Sequence, residues 1–160
     1  MRWFFQFLPR YNGCSLIRNH FTPDLVLHTD ACLTGGGMFF NNQAAWFPFT
    51  DALETLKFHI MQKEMYTKIV AFRYWAKSWE GKNVKVRTDS KVNVACLENL
   101  RPGEDALRIM TKEIWFLAVT NDITILIEHI DGIANITTDI LSRTCNSIDA
   151  KQKMLQHVKV

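Results

Sequence analysis

The chain has 160 residues, of which 48% are hydrophobic and 12% aromatic, and its formal net charge is +3. That is enough apolar side chain for one domain with a real core, which excludes a disordered chain, and so small a net charge says little by itself about partners. Cys14, Cys32, Cys96 and Cys145 are widely spaced with no CxxC, so neither a zinc site nor a disulfide framework is signalled and a reduced intracellular compartment is expected.

The chain opens on MRWFFQFLPR, whose short apolar run is cut by Pro9 before it reaches the length of a signal-peptide core. No stretch approaches the roughly 18 apolar residues of a membrane span. Residues 1–22, with WFFQFLPRYNGCSLI, are too aromatic for a free tail and read as an interaction or connection segment. Residues 23–145 read as one domain, and the polar, weakly helical residues 146–160 as a C-terminal extension.

A first strand is expected over about 24–31, where LVLHTDA carries Asp30 just before the Gly-rich turn at TGGG, a place where backbone can approach another group closely. GMFF and QAAWF, separated by Asn41 and Asn42, read as a tight antiparallel hairpin, because Asn tolerates the left-handed conformation of such a turn. Residues 50–61 form a connector. From Gln62 the period becomes helical: Met65, Ile69, Phe72 and Ala76 make a stripe that Val70 and Tyr74 widen, until Gly81 stops it. Glu64 falls in the first turn of that helix, where the helix dipole favours a carboxylate for structural reasons alone.

A fourth strand, VKVRT, repeats the first device: alternating Val84, Val86 and Thr88 lead to Asp89. A helix-containing crossover of this length is the usual parallel connection. A short helix over about 90–99 runs to the breaker Arg101-Pro102-Gly103, and a longer one over about 104–120 turns Leu107, Met110, Ile114, Leu117 and Ala118 to one side. ITILIEHI at 123–130 is the fifth strand, β-branched enough to be expected buried. IANITTDILSR then reads as loop into helix, with Asp139 near its start.

Two properties bear on function. Residues 57–91 hold nine Lys or Arg against three acids; such a run is commonly a solvated helix face, but beside an acidic site it would suit a phosphate backbone. The element order also places four acids, Asp30, Glu64, Asp89 and Asp139, where they can converge. Each alone is as readily a turn former or a helix cap. Gathered without a cationic partner they would repel one another and bind a divalent metal, and all-oxygen ligation favours Mg²⁺ or Mn²⁺. Two such ions about 4 Å apart can activate a water and steady a leaving oxygen in phosphodiester hydrolysis.

LHTDACLTGGGMFF, KEMYTKIVAFRYW, VRTDSKVNVACL and EHIDGIANITTDILSR, in this order, resemble the ribonuclease H domain of a reverse transcriptase, in particular that of retrotransposons of the tyrosine-recombinase, DIRS-like class. The preceding WFFQFLPRYNGCSLI resembles the connecting segment between polymerase and ribonuclease H in those elements. The resemblance covers residues 3–143. It implies a ribonuclease H-like α/β fold, with a mixed five-stranded sheet of three antiparallel strands and then parallel additions, flanked by helices. Its metal-binding quartet falls on Asp30, Glu64, Asp89 and Asp139. The implied activity is two-metal hydrolysis of the RNA strand of an RNA·DNA hybrid, and the implied companion is the polymerase domain of the same polyprotein. RNA would be told from DNA by contacts to 2′-hydroxyls across the wide minor groove, with the basic segment along the DNA backbone. Ser90 and Asn93 are candidates for substrate-backbone contacts, the alternative being N-capping and a solvated helix face.

The chain departs from the family pattern in four places. Residues 131–138 contain no His, although cellular enzymes of this fold often carry one just before the last acid. Cys32 stands where Ser is commoner, the turn lacks an aromatic between its glycines, and Thr138 precedes the last acid where Ala is usual. None removes a carboxylate. His129 resembles the His of the HxxG motif of retroelement domains and is expected to be structural. The alternatives are another nuclease of the same fold, such as an integrase or junction resolvase, or a weak or inactive nucleic-acid-binding module.

Overall fold

The computed structural model describes residues 5–6, 8–10, 22–50, 57–99 and 103–143. Most of the connection-like segment, the C-terminal extension, Cys14, Cys145 and the Arg101-Pro102 part of the breaker lie outside the described residues.

Strands β1 (Leu25–Ala31), β2 (Gly35–Phe40) and β3 (Gln43–Pro48) form an antiparallel meander. The β2–β3 turn is the two-residue Asn41-Asn42, at φ 44° and 61°, the left-handed pair that matches the twist of the flanking strands. Helix α1 (Ile60–Trp75) then crosses to β4 (Asn83–Thr88), which lies parallel to β1. Helices α2 (Lys91–Asn99) and α3 (Asp105–Thr120) lead to β5 (Thr124–His129), parallel to β4, and the strand order is β3-β2-β1-β4-β5. A 3₁₀ turn, Gly132–Asn135, leads into α4 (Ile136–Arg143). The expected mixed sheet of three antiparallel and two parallel strands is therefore present.

The two glycines at the centre of β2 show how the helices are distributed. A Cβ on Gly36 would strike Thr67 of α1, and one on Gly37 would strike the backbone of α4. Neighbouring residues of a strand face opposite sides, so α1 and α4 cover opposite faces of the sheet. On the α1 side Leu27, Met65, Phe72, Trp79, Val84, Val86 and Ile114 are buried. Trp79 stacks against Trp75 at 5.8 Å and meets Phe40 and Phe72 edge-on at 5.2 and 5.4 Å, arrangements favoured by the ring quadrupoles.

Three expectations need correcting. Helix α1 begins at Ile60, two residues before Gln62, so Glu64 lies beyond its first turn. The His59 N–H donates to the Gln62 side-chain oxygen at 2.7 Å, which fixes the start upstream. Tyr74 does not widen the buried stripe: it is 72% exposed, while Thr67, Lys68, Ala71 and Trp75 complete the packed face instead. The fifth strand is not buried, because it forms the edge of the sheet and only Ile125 within it is fully covered.

Candidate metal centre

β1 and β4 are parallel neighbours, so their C-terminal ends reach the same edge of the sheet. Asp30 stands at the penultimate position of β1 and Asp89 one residue past β4, so two carboxylates emerge side by side. Glu64 projects from α1, which packs over β1 and β2. One oxygen from each of Asp30, Glu64 and Asp89 lies within 4.8 Å of the other two. Asp139 is not a member of this close group. Its Oδ1 accepts from Arg143 Nε at 2.7 Å along α4, yet its charge still reaches Asp30.

Burial, and next the Asp89 carboxylate, raise the pKa of Asp30 from 3.8 to about 6; Asp139 adds to the rise, while the Ala31 N–H and the Ser142 hydroxyl oppose it. Glu64 is also raised, first by burial, against the opposing Ser90 hydroxyl and Lys68 ammonium. Oδ1 of Asp89 is buried with no hydrogen-bond partner among the described residues. Crowded, partly desolvated carboxylates and an orphaned carboxylate oxygen amount to a local deficit of positive charge. A hard divalent cation fits that donor set, and Asp30, Glu64 and Asp89 are the residues that would hold it.

Other residues fix these three. The Asn93 amide is wholly buried and donates to Glu64 Oε2 at 3.0 Å, so it orients the helix carboxylate rather than lying open to a ligand. Ser90 is half-buried, also beside Glu64. A ring nitrogen of His129 lies 3.1 Å from the Asp89 main-chain oxygen and ties down the bend that carries the carboxylate. On the far side, the Ser142 hydroxyl is 3.3 Å from Asp30 Oδ2 and 2.9 Å from the Asp139 main-chain oxygen, with one proton to donate between them. Asn135 donates to the Thr29 main-chain oxygen at 3.2 Å, which anchors the turn before α4 on β1.

Lys68, Asn135 and Ser142 were not picked out by sequence reasoning. Lys68 had a visible signal: it lies three residues from Met65 and four from Phe72, inside the buried stripe of α1, where a cation is out of place. Its ammonium is fully buried, and burial lowers its pKa to about 8 against the opposing pull of Glu64, Asp30 and Asp89.

The expected basic strip does not form one free face. Lys63 and Lys68 are buried, Lys63 on the Leu33 main-chain oxygen and over the Phe49 ring. Arg73 pairs with Glu113 and Lys77 with Glu80. Lys85 and Arg87 both converge on Glu128 of the edge strand, which holds that carboxyl below its ordinary pKa.

The raised Asp30 pKa has a sign that can be tested. Between pH 3.8 and about 6 the folded, metal-free protein holds the Asp30 proton more tightly than the unfolded chain, so stability falls as pH rises through this window. Asp30→Asn removes that loss. Its stability advantage over the parent in EDTA should be near zero at the bottom of the window and grow to roughly 3 kcal/mol above it. Urea unfolding of both proteins across the window measures this, and a pH-independent difference would show that Asp30 ionises normally.

Neither a protein family nor a curated protein matches the chain by sequence. Solved structures do match its fold. Ribonuclease H1 from the halophilic archaeon Halobacterium salinarum superposes with a TM-score of 0.58 at 16% identity, covering 73% of this chain and 92% of that one. The N-terminal ribonuclease H domain of a Mycobacterium tuberculosis protein gives 0.54 at 15% identity, covering 85% and 99%. A compost-derived ribonuclease H1, solved in complex with an RNA/DNA hybrid, gives 0.52 at 15% identity, covering 74% and 93%. The fold is ribonuclease H-like.

Proposed function

We propose that this chain is a Mg²⁺- or Mn²⁺-dependent endonuclease that hydrolyses the RNA strand of RNA·DNA hybrids. The observation that carries this reading is the meeting of Asp30, Glu64 and Asp89 within 4.8 Å at the end of two parallel strands, with a buried Asp89 oxygen left unpartnered among the described residues. A neighbour of the same fold has been solved with an RNA/DNA hybrid, which supports the substrate class.

Bound divalent cations would supply Lewis-acid activation of water and stabilisation of the charge that develops at phosphorus and on the leaving oxygen. The chain's own residues hold the ligand oxygens in place. Asn93 orients Glu64, the His129 ring anchors the Asp89 backbone, and Ser142 sits against Asp30. Asp139, paired here with Arg143, would be the fourth carboxylate of the proposed quartet on release of that arginine. Ser90, half-buried and next to the site, is the better placed of the two candidates for a substrate-backbone contact.

The wider setting is part of the same proposal: a ribonuclease H domain of a DIRS-like reverse transcriptase that works beside its polymerase domain. The motif order and the connection-like WFFQFLPRYNGCSLI support it. Among the described residues no helix is long and apolar enough to cross a membrane. One observation favours a second reading, a weak or inactive hybrid-binding domain, because Asp139 is engaged by Arg143 and stands outside the close group.

Incubation with end-labelled RNA·DNA hybrid, RNA duplex and DNA duplex, each with Mg²⁺, Mn²⁺ or EDTA, separates the two readings. Cleavage of the hybrid's RNA strand alone, abolished by EDTA, is expected. Hybrid binding without metal-dependent cleavage would establish the binding domain instead.

A further inference from the structure

One charged group beside the three acids has no role in the reading above. Lys68 has no exposed surface. It lies one helical turn after Glu64, and its ammonium is 3.3 Å from the Glu64 main-chain oxygen. The carboxylates whose charges act on it are Glu64, Asp30 and Asp89, the same three that meet at the site.

Burying an ammonium without compensation is strongly unfavourable, so a lysine at zero exposure needs opposite charge nearby. Here that charge is the candidate metal ligand set. The relation is reciprocal at Glu64, whose pKa rise the Lys68 charge opposes: a fixed positive charge there neutralises part of the repulsion among the carboxylates and raises the energy of any further cation placed among them. An apolar residue on the same turn of α1 would do none of this.

We propose that the Lys68 ammonium is the internal counter-cation of the Asp30, Glu64 and Asp89 cluster, holding the site assembled without metal and lowering its affinity for divalent cations. The inference rests on the site being one for divalent cations, and it does not require that the protein cleave nucleic acid. Lys68 is thus a positioning residue that tunes occupancy, making metal binding depend on the additional negative charge that a nucleic-acid backbone brings.

Lys68→Met keeps a long unbranched side chain on the packed face of α1 and removes the charge. Calorimetric titration of parent and variant with Mn²⁺ and with Mg²⁺, in the absence of nucleic acid, should show binding tighter by at least about tenfold in the variant. The rise in melting temperature at a fixed metal concentration should be correspondingly larger. Equal or weaker binding by a folded Lys68→Met protein overturns the role of Lys68 and leaves the metal site standing. Absence of binding in both proteins removes the metal reading and this inference together. Binding by the variant alone supports the inference in its strongest form.

A measurement on the parent stands independently of how the variant folds. The side-chain Cε and Nζ signals of Lys68, followed by NMR in isotopically labelled protein, should shift along the same saturation curve as the Glu64 and Asp89 carboxyl carbons when Mg²⁺ is added. A Lys68 signal unmoved at saturating Mg²⁺ overturns the inference.

Discussion

Asp89→Asn should reduce metal-dependent cleavage of an RNA·DNA hybrid by about a thousandfold or more while leaving hybrid binding intact. The change replaces an anionic ligand by a neutral one of nearly the same shape, at a position whose Oδ1 is buried and has no partner among the described residues. Whatever that oxygen does for the fold, it does not do it through a hydrogen bond to those residues. The loss therefore falls on charge stabilisation in the transition state rather than on folding. In EDTA the melting temperature should stay close to the parent's, since the charge removed repels Asp30 and Glu64 but supports the buried Lys68 ammonium. Single-turnover cleavage, a hybrid-binding titration and thermal melts in EDTA measure the three quantities. A variant that cleaves at the parent's rate would remove Asp89 from the proposed machinery, and a variant that neither binds nor folds would show that the residue is structural.

The strand-end acids were legible because their placement needs only local information. Alternating apolar residues end at Asp30 and Asp89 in two separate stretches, and a crossover helix between them makes the strands parallel, so their ends coincide. The hairpin was legible for a similar reason, since two consecutive Asn residues between apolar runs leave few other conformations. What escaped depended on sequence-distant packing. The β-branched run of β5 has the composition of a central strand, but its place at the sheet edge follows from strand order, which no local pattern carries. The cations of residues 57–91 looked like one strip because they are adjacent in sequence. In the fold six of the nine are divided between the buried side of α1, exposed pairs on that helix and the turn after it, and the pairing of β4 with Glu128, while Lys57, Lys82 and Lys91 are exposed on separate segments.

Asn93 and Asp139 show the same limit within the site. As a residue just past Asp89, Asn93 could have faced solvent or protein, and only the position of α1 decides that its amide meets Glu64. Asp139 sits four residues before Arg143 on one helix, so its ion pair was available from the sequence as an i, i+4 match. How near the carboxylate comes to the acidic cluster while paired with that arginine depends on how α4 is set on the sheet.

That setting rests on Gly37, and Gly37→Ala is expected to cost more stability than the same change at its neighbour Gly36. A Cβ there would lie 2.5 Å from the Ser142 main-chain nitrogen, 2.6 Å from the Thr138 carbonyl oxygen and 2.7 Å from the Leu141 Cβ. Two of these obstacles are helix backbone, which cannot rotate aside, so the whole of α4 must lift from β2. At Gly36 the added carbon would meet the Thr67 hydroxyl at 2.5 Å, which could move only by giving up its bond to the Lys63 main-chain oxygen, and the far edge of the Phe47 ring at 2.7 Å, side-chain atoms rather than helix backbone. Gly37→Ala should therefore cost about 3 kcal/mol, and Gly36→Ala distinctly less, in urea unfolding of the metal-free protein. Lifting α4 also moves Ser142 away from Asp30 and Asp139 away from the cluster, so cleavage by the folded fraction of Gly37→Ala should fall below that of Gly36→Ala. Equal stability losses at the two glycines would mean that α4 is not held against the backbone of β2, and that the position of Asp139 is set by something other than this contact.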